Sequence, residues 1–209
     1  MKKLKLKKNI YAGKLIVFEG IDGSGKTTLI NFTMQYLQKL GYDCVYVKMP
    51  SDRMRNLKIF NDYDNSKNDF VRNSINLTNL TIMVSGDRLV TQDEIIIPAL
   101  KQNKIVICDR YCFTGFVRCT DKIIKNISSR FLRPDLTFLC DCDVEKAKQR
   151  ILTRKNEKNN FYDEQDVKKQ KHNFLKLAHN NNFVVIDTNN SLEFCKTKIE
   201  KYIEKVELK

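Results

Sequence analysis

The chain has 209 residues, of which 30% are charged, and its formal net charge is +13. This length suits one α/β domain with a covered core, and seven glycines and three prolines are too few for a collagen-like or low-complexity protein. No apolar run is long enough to span a bilayer, and the basic N-terminus is not followed by the apolar segment of a signal peptide. The composition therefore predicts a cytoplasmic protein without a membrane partner.

The positive charge leaves the kind of partner open. It is spread along the chain, with clusters at the N-terminus, at 146–158 and at 168–176. Attraction of polyanionic nucleotides, together with a coding bias toward lysine, explains this spread better than nucleic-acid binding, because no stripe interleaves basic and aromatic residues. Seven cysteines without paired spacing and two histidines on a lysine-rich segment favour a reducing compartment over a metal site.

Strands and helices are predicted to alternate along the chain. A basic segment at 1–13, which we expect to be a solvated tail, precedes the first apolar run at Lys14–Glu19. Further strands are predicted at 44–47, 104–108, 136–140 and 183–186. Helical periodicity covers 29–40, 69–102, 113–130, 143–155, 163–180 and 191–206. Pro98 should kink the second of these helices without abolishing it.

This order predicts right-handed crossovers, and hence one domain over 1–209. The expected architecture is a three-layer α/β sandwich, with helices on both faces of a five-stranded parallel sheet. Ligands of such sheets bind in the crevice at the carboxyl ends of the strands. Functional side chains should therefore follow the first, second and third strands directly.

The pattern Gly-x-x-x-x-Gly-Lys-Thr occupies 20–27, between the first strand and the first helix. Glycines let the backbone N–H groups surround a phosphate, and the following helix directs its positive dipole end at the same anion. Lys26 can reach the β- and γ-phosphates of a nucleoside triphosphate, and the Thr27 hydroxyl can ligate Mg²⁺. The loop predicts a P-loop NTPase fold with a nucleoside triphosphate and Mg²⁺ as its ligands.

A second phosphate-handling motif, Asp109-Arg110-Tyr111, follows the third strand. The acid can hold Mg²⁺, and the arginine can clamp an acceptor phosphate and the phosphoryl group in flight. A surface ion pair at a strand end is the structural alternative. The neighbouring phosphate loop favours the functional interpretation.

Several segments together resemble the thymidylate kinase family of nucleoside monophosphate kinases. They are 17–28, 85–100, the Asp-Arg-Tyr-Cys-Phe-Thr-Gly motif at 109–115, 133–136 and the pair Asp187-Thr188. The form of the motif at 109–115 is similar to that of the family's eukaryotic and large-virus branch. The resemblance implies Mg²⁺-dependent phosphoryl transfer from ATP to a deoxynucleoside monophosphate, dTMP above all, by a homodimer.

The resemblance also implies a role for each matching residue. The donor phosphates are bound by Gly20, Asp22, Gly23, Ser24, Gly25, Lys26, Thr27 and Thr28, and the metal by Thr27 and Asp109. The acceptor nucleotide is bound by Asp22, Arg53, Arg88, Arg110, Tyr111, Thr114 and Tyr162. Among these, Asp22 meets the 3′-hydroxyl, Arg110 the acceptor phosphate and Arg88 the base edge. Arg53 is expected at the acceptor phosphate, and Tyr162 over the sugar.

A short lid is implied at about 150–163. Gly23 occupies the loop position at which some members carry their critical arginine, so this chain should use lid arginines. The candidates are Arg150 and Arg154, which join Lys26, Asp109 and Arg110 as predicted catalytic residues. A solvated helix face is the alternative interpretation of the lid arginines.

The departures from the family pattern concentrate at the base pocket. Val84 stands where a stacking phenylalanine is usual, Met49 and Arg118 stand where aromatic residues are usual, and Phe161 replaces an arginine. Phe70 and Phe113 are candidate replacements for the stacking ring. Arg118 has two open interpretations, contact with a base carbonyl or an ion pair with Asp121 on its own helix.

Three other functions stay open at this point. A deoxynucleoside kinase would need a base near the 5′-hydroxyl, for which Glu19 is the candidate, although two arginines at the acceptor site suit a substrate that already carries phosphate. A P-loop kinase of altered base specificity would fit the changed pocket. A nucleic-acid-stimulated ATPase is less favoured.

Overall fold

The computed structural model describes residues 3–65, 74–153 and 163–206. It contains a five-stranded, all-parallel sheet in the order β2-β3-β1-β4-β5. The strands are β1 (Lys14–Glu19), β2 (Cys44–Lys48), β3 (Ile105–Asp109), β4 (Leu136–Asp141) and β5 (Val184–Asp187). The predicted five-stranded parallel sheet is confirmed. No helix in these ranges combines the length and the apolar character that crossing a membrane requires.

Helices connect the strands, as parallel pairing requires. The first four are α1 (Lys26–Lys39), α2 (Asp52–Arg55), α3 (Lys58–Asn65) and α4 (Leu77–Thr91). A π-helical turn at Gln92–Ile96 links α4 to α5 (Ile97–Lys101). The others are α6 (Phe113–Arg118), α7 (Lys122–Ile127), α8 (Val144–Leu152), α9 (Glu164–Asn181) and α10 (Leu192–Lys205), with a 3₁₀ turn at Ser128–Arg130.

The central strand β1 separates two cores. Leu15 and Val17 pack on one side, and Ile16 and Phe18 on the other, because successive side chains of a strand point to opposite faces. The first core also contains side chains of α5, α6 and α9, and the second contains side chains of α1 and α10. Burial on both faces explains why these strands read as continuous apolar runs.

The predicted long helix at 113–130 is wrong, because the structure divides it into α6, α7 and the 3₁₀ turn. Cys119 has extended backbone angles that end α6. The Asp121 carboxylate then accepts a hydrogen bond from the Ile123 backbone N–H at 2.9 Å and starts a new helix.

The predicted helix at 69–102 begins at Leu77, where the Asn76 side chain accepts from the Asn79 N–H at 3.0 Å; residues 69–73 lie outside the described ranges. The helix continues through Pro98, as predicted, by way of the π-helical turn. Proline has no N–H for the carbonyl four residues earlier, so the regular ladder is interrupted at this point.

The N-terminal segment corrects one expectation. From residue 3 onward its lysines are exposed, as predicted for a solvated tail, but its backbone is held by hydrogen bonds. Lys7 exchanges hydrogen bonds with the Phe131 carbonyl (2.9 Å) and the Arg133 N–H (2.6 Å). Leu4 and Leu6 pack against the first core, because the alternation of leucine and lysine places the leucines inward.

Candidate active site

The phosphate loop leaves β1 and ends at the first residue of α1. Gly23 lies in the left-handed region (φ 77°), and a Cβ there would lie 2.2 Å from the Ala147 carbonyl oxygen, so only glycine fits. Lys26 Nζ turns back into the loop and donates to the carbonyl oxygens of Gly20 (3.1 Å) and Ile21 (2.8 Å). Burial, together with repulsion from Arg110, lowers the pKa of Lys26 to about 8.

The loop residues fit a phosphate group. The Ser24 hydroxyl is buried and has no hydrogen-bond partner within the described residues. It lies in the loop that also holds the Lys26 ammonium and leads into the N-terminus of α1, where backbone N–H groups lack intrahelical partners. An anion with several acceptor oxygens would satisfy all these donors at once.

Arg110 follows β3 directly and contacts the phosphate loop. Phe18 of β1 pairs with Asp109 of β3, so the two strands end at one edge. The Arg110 N–H donates to the Phe18 carbonyl at 2.9 Å, and its Nη1 donates to the Gly20 carbonyl at 2.9 Å. Its Nη2 forms an ion pair with the Asp22 carboxylate. The acceptor clamp and the donor loop therefore meet directly.

Glu19, the last residue of β1, holds the turn after β3 from within. Its side chain is 0% exposed. Oε1 accepts from the backbone N–H groups of Tyr111 (2.9 Å) and Thr114 (3.3 Å), and Oε2 accepts from the Thr114 hydroxyl (2.7 Å). Burial raises the pKa of Glu19, against the opposing effect of Arg110 and Arg88. These contacts make Glu19 a support for the motif, and its burial corrects its interpretation as a base for a free nucleoside.

Asp109 and Thr27 have side-chain oxygens, the kind of ligand that Mg²⁺ prefers. The Tyr46 hydroxyl donates to Asp109 Oδ2 at 3.3 Å, and Thr27 and Thr28 are exposed at the start of α1. Within 3–65, 74–153 and 163–206, no three or more His, Cys, Asp or Glu side chains cluster as a metal site. This donor set suits an ion held jointly by the protein and by nucleotide phosphates.

A cleft opens beside Arg110. Its lining comprises Asp22, Pro50, Arg55, Phe60, Tyr63, Leu77, Leu80, Thr81, Val84, Arg88, Arg110, Thr114, Gly115 and Arg118. Four of the predicted acceptor residues, Asp22, Arg88, Arg110 and Thr114, are thus brought together. The cleft combines an apolar wall with several guanidinium groups, which suits a flat base attached to an anionic tail.

Two predicted acceptor residues lie elsewhere. Arg53 is exposed and pairs with Glu94 at 2.9 Å, outside the cleft lining. Sequence reasoning missed Arg55, which lines the cleft and donates to the carbonyls of Pro50 (Nε, 2.9 Å) and Met49 (Nη2, 3.2 Å). The sequence contains a signal here, because one extra residue lies between Pro50 and Arg53 relative to the pattern of the family that the chain resembles.

Tyr111 also lies outside the cleft. Its ring is fully buried, and its hydroxyl donates to Gln92 Oε1 at 2.7 Å. Gln92 Oε1 also accepts from the Leu132 N–H at 2.8 Å, and its Nε2 donates to the Arg130 carbonyl at 3.2 Å. Sequence reasoning missed Gln92 as the hydrogen-bond partner of Tyr111, because its position in the π-helical turn does not follow the regular helical period.

Arg88 is the polar group best placed to meet a base. Its side chain is almost fully buried, and Nε finds no acceptor in the part of the chain that the structure describes. Burial lowers the pKa of Arg88 to about 10, with Glu19 opposing this effect. A buried donor of this kind is costly unless a ligand supplies an acceptor. Arg118 lines the same cleft, while Asp121 caps α7.

Arg150 does not project from a lid. Its Nη1 donates to Cys142 Sγ (3.3 Å) and the Gly23 carbonyl (3.4 Å), and Nη2 donates to the Thr188 carbonyl (2.9 Å). It therefore ties the phosphate loop to the segment after β5. Arg154, Tyr162 and most of the predicted lid lie outside the described residues.

Of the two candidates for a stacking ring, Phe113 lies within the described residues and Phe70 lies outside them. Phe113 is buried in the first core, with its ring centroid 4.6 Å from that of Phe183, so it does not reach the cleft. Phe70 and Phe161 lie outside the described residues. Val84 and Met49 are both buried.

Comparison with known proteins gives one consistent result. A family model described as thymidylate kinase matches residues 18–199. The chain is 33% identical to a thymidylate kinase of Pelobacter propionicus, over 87% of this chain and 89% of that protein. It is 32% identical to one from Aster yellows witches'-broom phytoplasma, over 91% and 97%. It is 30% identical to a probable thymidylate kinase of Methanocaldococcus jannaschii, over 91% and 96%. Affinity with the eukaryotic and large-virus branch stays a prediction.

Proposed function

This chain belongs to the thymidylate kinase family, and from that premise we propose that it transfers the γ-phosphoryl group of ATP to dTMP, giving dTDP and ADP. The observation that carries the proposal is the meeting of Lys26 and Arg110 at the Gly20 carbonyl, because a phosphoryl transfer needs a donor cradle and an acceptor clamp side by side.

On the donor side, the proposal gives each loop residue a task. The backbone N–H groups at 20–28, the Ser24 hydroxyl and Lys26 bind and orient the β- and γ-phosphates. Thr27 and Asp109 would hold Mg²⁺, which neutralises developing charge on the phosphates when bound. Arg150 keeps the loop in place through Gly23.

On the acceptor side, Arg110 and Arg55 orient the dTMP phosphate, and Arg88 donates to a carbonyl of the base. Asp22 faces the acceptor sugar. One oxygen of the dTMP phosphate attacks the γ-phosphorus in line, and the bond from the γ-phosphorus to the β–γ bridging oxygen breaks. No general base is required, because the acceptor phosphate is already ionised.

The buried state of Glu19 argues against the deoxynucleoside kinase alternative. Both of its carboxyl oxygens are engaged by Tyr111 and Thr114, so it does not present a base to a 5′-hydroxyl. A kinase of altered base specificity is the alternative that the Val84 position favours, because a valine gives a base no ring to stack on.

ADP release in the presence of ATP and Mg²⁺, measured with dTMP, dUMP, dCMP, dGMP, dAMP and free thymidine, tests the proposal. We expect the highest kcat/KM with dTMP. Folded protein that turns over none of the monophosphates would overturn the proposal, and preference for thymidine would make the chain a nucleoside kinase. ATP hydrolysis that is stimulated by single-stranded DNA and by none of the mononucleotides would indicate a nucleic-acid-stimulated ATPase.

We also propose that the protein is a homodimer, as the family resemblance implies. Met83 and Val90 are exposed on α4, about 60–120° around the helix from the cleft-lining Leu80 and Val84, and they supply a candidate contact. Sedimentation velocity of the wild type and of Met83→Glu distinguishes a dimer through this face from a monomer.

A further inference from the structure

Position 84 lacks an aromatic ring on which a base could stack. Val84 lines the cleft on α4, one turn before Arg88, yet a valine side chain offers no flat surface to a base. Its exposed fraction is only 8%, although it borders an open cleft. Neighbouring side chains therefore cover it.

Those neighbours are aromatic. Phe60 and Tyr63 stand three residues apart on α3, which places both rings on one side of that short helix. Both are partly buried, both line the cleft, and both pack against the cluster formed by Met54, Leu80 and Val84. The aromatic surface that is missing from α4 is thus present on α3, in the lining of the same cleft.

The α2–α3 segment is fixed to α4 by polar contacts at its start. The Ser51 backbone N–H donates to Asp87 Oδ2 at 2.8 Å, and the Ser51 hydroxyl hydrogen-bonds the same carboxylate. Asp87 directly precedes Arg88 on α4. The contact therefore links the segment that contains Phe60 and Tyr63 to the helix that contains Arg88.

We propose that Phe60 and Tyr63 form the surface against which the acceptor base packs, in place of an aromatic residue at position 84. Arg88 then donates to the base edge, so that α3 supplies the packing surface for the base, an aromatic wall, and α4 supplies the hydrogen bond. This inference rests on the proposed function, because it assumes a nucleotide acceptor in the cleft. Stacking on an aromatic side chain is tolerant of ring substituents, so the Arg88 contact supplies the selectivity for a carbonyl-bearing base.

Four variants test this wall by steady-state kinetics. Phe60→Leu and Tyr63→Leu should each raise KM for dTMP about tenfold or more, with KM for ATP unchanged. Tyr63→Phe keeps the ring and should stay within about twofold of the wild type. Ile59→Ala changes an exposed residue of the same helix and is the matched control, expected to leave both KM values unchanged.

A compensating change separates a base contact from simple packing. Val84→Phe should partly restore the KM for dTMP in the Phe60→Leu background, because it returns a ring to the cleft from α4. In the wild-type background it should raise that KM, because two rings would compete for one space. If the leucine variants fail to fold, Phe60→Met removes the ring with little change of volume and gives the same comparison.

The outcomes separate the two proposals. If the wild type turns over dTMP while the ring-removing variants keep the wild-type KM for dTMP, the aromatic wall is wrong and the proposed function stands. Equal increases in the KM values of dTMP and ATP would also overturn the proposal of the aromatic wall, since they indicate a general structural effect. If the wild type turns over no monophosphate, the proposed function itself fails.

Discussion

Lys26 and Arg110 donate hydrogen bonds to the same atom, the carbonyl oxygen of Gly20, at 3.1 and 2.9 Å. One cation belongs to the loop after β1 and the other to the turn after β3, so their meeting depends on the pairing of these two strands. Two cations around one carbonyl repel each other, and the Asp22 carboxylate offsets part of that repulsion. Incoming phosphate oxygens would add further negative charge on both sides of the point where the phosphoryl group passes.

Replacing Arg110 should damage activity far more than stability. We expect Arg110→Ala to lower kcat/KM for dTMP about 10²- to 10³-fold, because it removes the clamp on the acceptor phosphate. Its partner Asp22 is largely exposed, so the melting temperature should fall by only about 3 °C. Kinetics and thermal unfolding of the same preparation check this. Parallel losses of activity and stability would make Arg110 a structural residue.

Arg55 and Arg53 form a matched pair of arginines on one short helix. Arg55→Ala should raise KM for dTMP about tenfold, because Arg55 lines the cleft. Arg53→Ala removes only an exposed ion pair with Glu94 and should leave KM within about twofold of the wild type. Steady-state kinetics with dTMP varied and ATP saturating measures both. The reverse ranking would restore Arg53 as the phosphate contact.

Glu19 predicts a specific pH dependence of stability. Because folding raises the pKa of this acid, the unfolded chain loses its proton first, and stability falls as pH rises from about 4.5 through the folded value. Glu19→Gln keeps an acceptor for the Tyr111 N–H but does not ionise, so this fall should be absent. The difference in free energy of unfolding between wild type and variant, measured by urea titration from pH 4 to 7, should therefore shift in favour of the variant with rising pH. A difference that stays constant would show that Glu19 titrates normally.

The sequence could predict the meeting of Lys26 and Arg110, because both follow apolar strands and parallel strands end at one edge. It could not decide between Arg53 and Arg55. Residues two apart on a helix point about 200° away from each other, and the direction that faces the cleft depends on where α2 begins. Ser51 sets that beginning by accepting from the Met54 N–H, at 3.4 Å.

Other outcomes depended on contacts between distant parts of the chain. The family resemblance assigned Arg150 to a lid, whereas its position is set by the Gly23 and Thr188 carbonyls, which are far away in sequence. The Leu–Lys alternation near the N-terminus did carry a strand-like signal. Its effect depended on whether the 128–133 region offered backbone partners, and no local pattern shows that.

Arg150 should act through the donor site. We expect Arg150→Met to raise KM for ATP about tenfold and to leave KM for dTMP nearly unchanged, because Arg150 supports the phosphate loop and the segment after β5. Lys146→Ala removes an exposed charge from the same helix and serves as the control. A large fall in kcat with unchanged KM for ATP would instead place Arg150 on the transferring phosphoryl group.

Two glycines should respond in opposite ways to alanine. In Gly23→Ala the new Cβ would lie 2.2 Å from a backbone oxygen, at a positive φ, so we expect loss of ATP binding and a lower melting temperature. Gly86 lies inside α4, and an added Cβ there would meet no atom within 4 Å among the described residues, so Gly86→Ala should stabilise the protein by about 0.5–1 kcal/mol with activity retained. Calorimetry with and without ATP measures both effects. Tolerance of Gly23→Ala would contradict the tight approach of the loop to α8.

The π-helical turn at Gln92–Ile96 changes the rotational phase of the helix that contains it. One extra residue rotates everything after it by about 100° relative to a uniform helix. The stretch before the turn can therefore direct Val84 and Arg88 toward the nucleotide, while the stretch after it directs Leu100 under the sheet. Deleting a single residue from this turn would misalign the stretch before it or the stretch after it. The one extra residue therefore allows two orientations that a uniform helix could not combine.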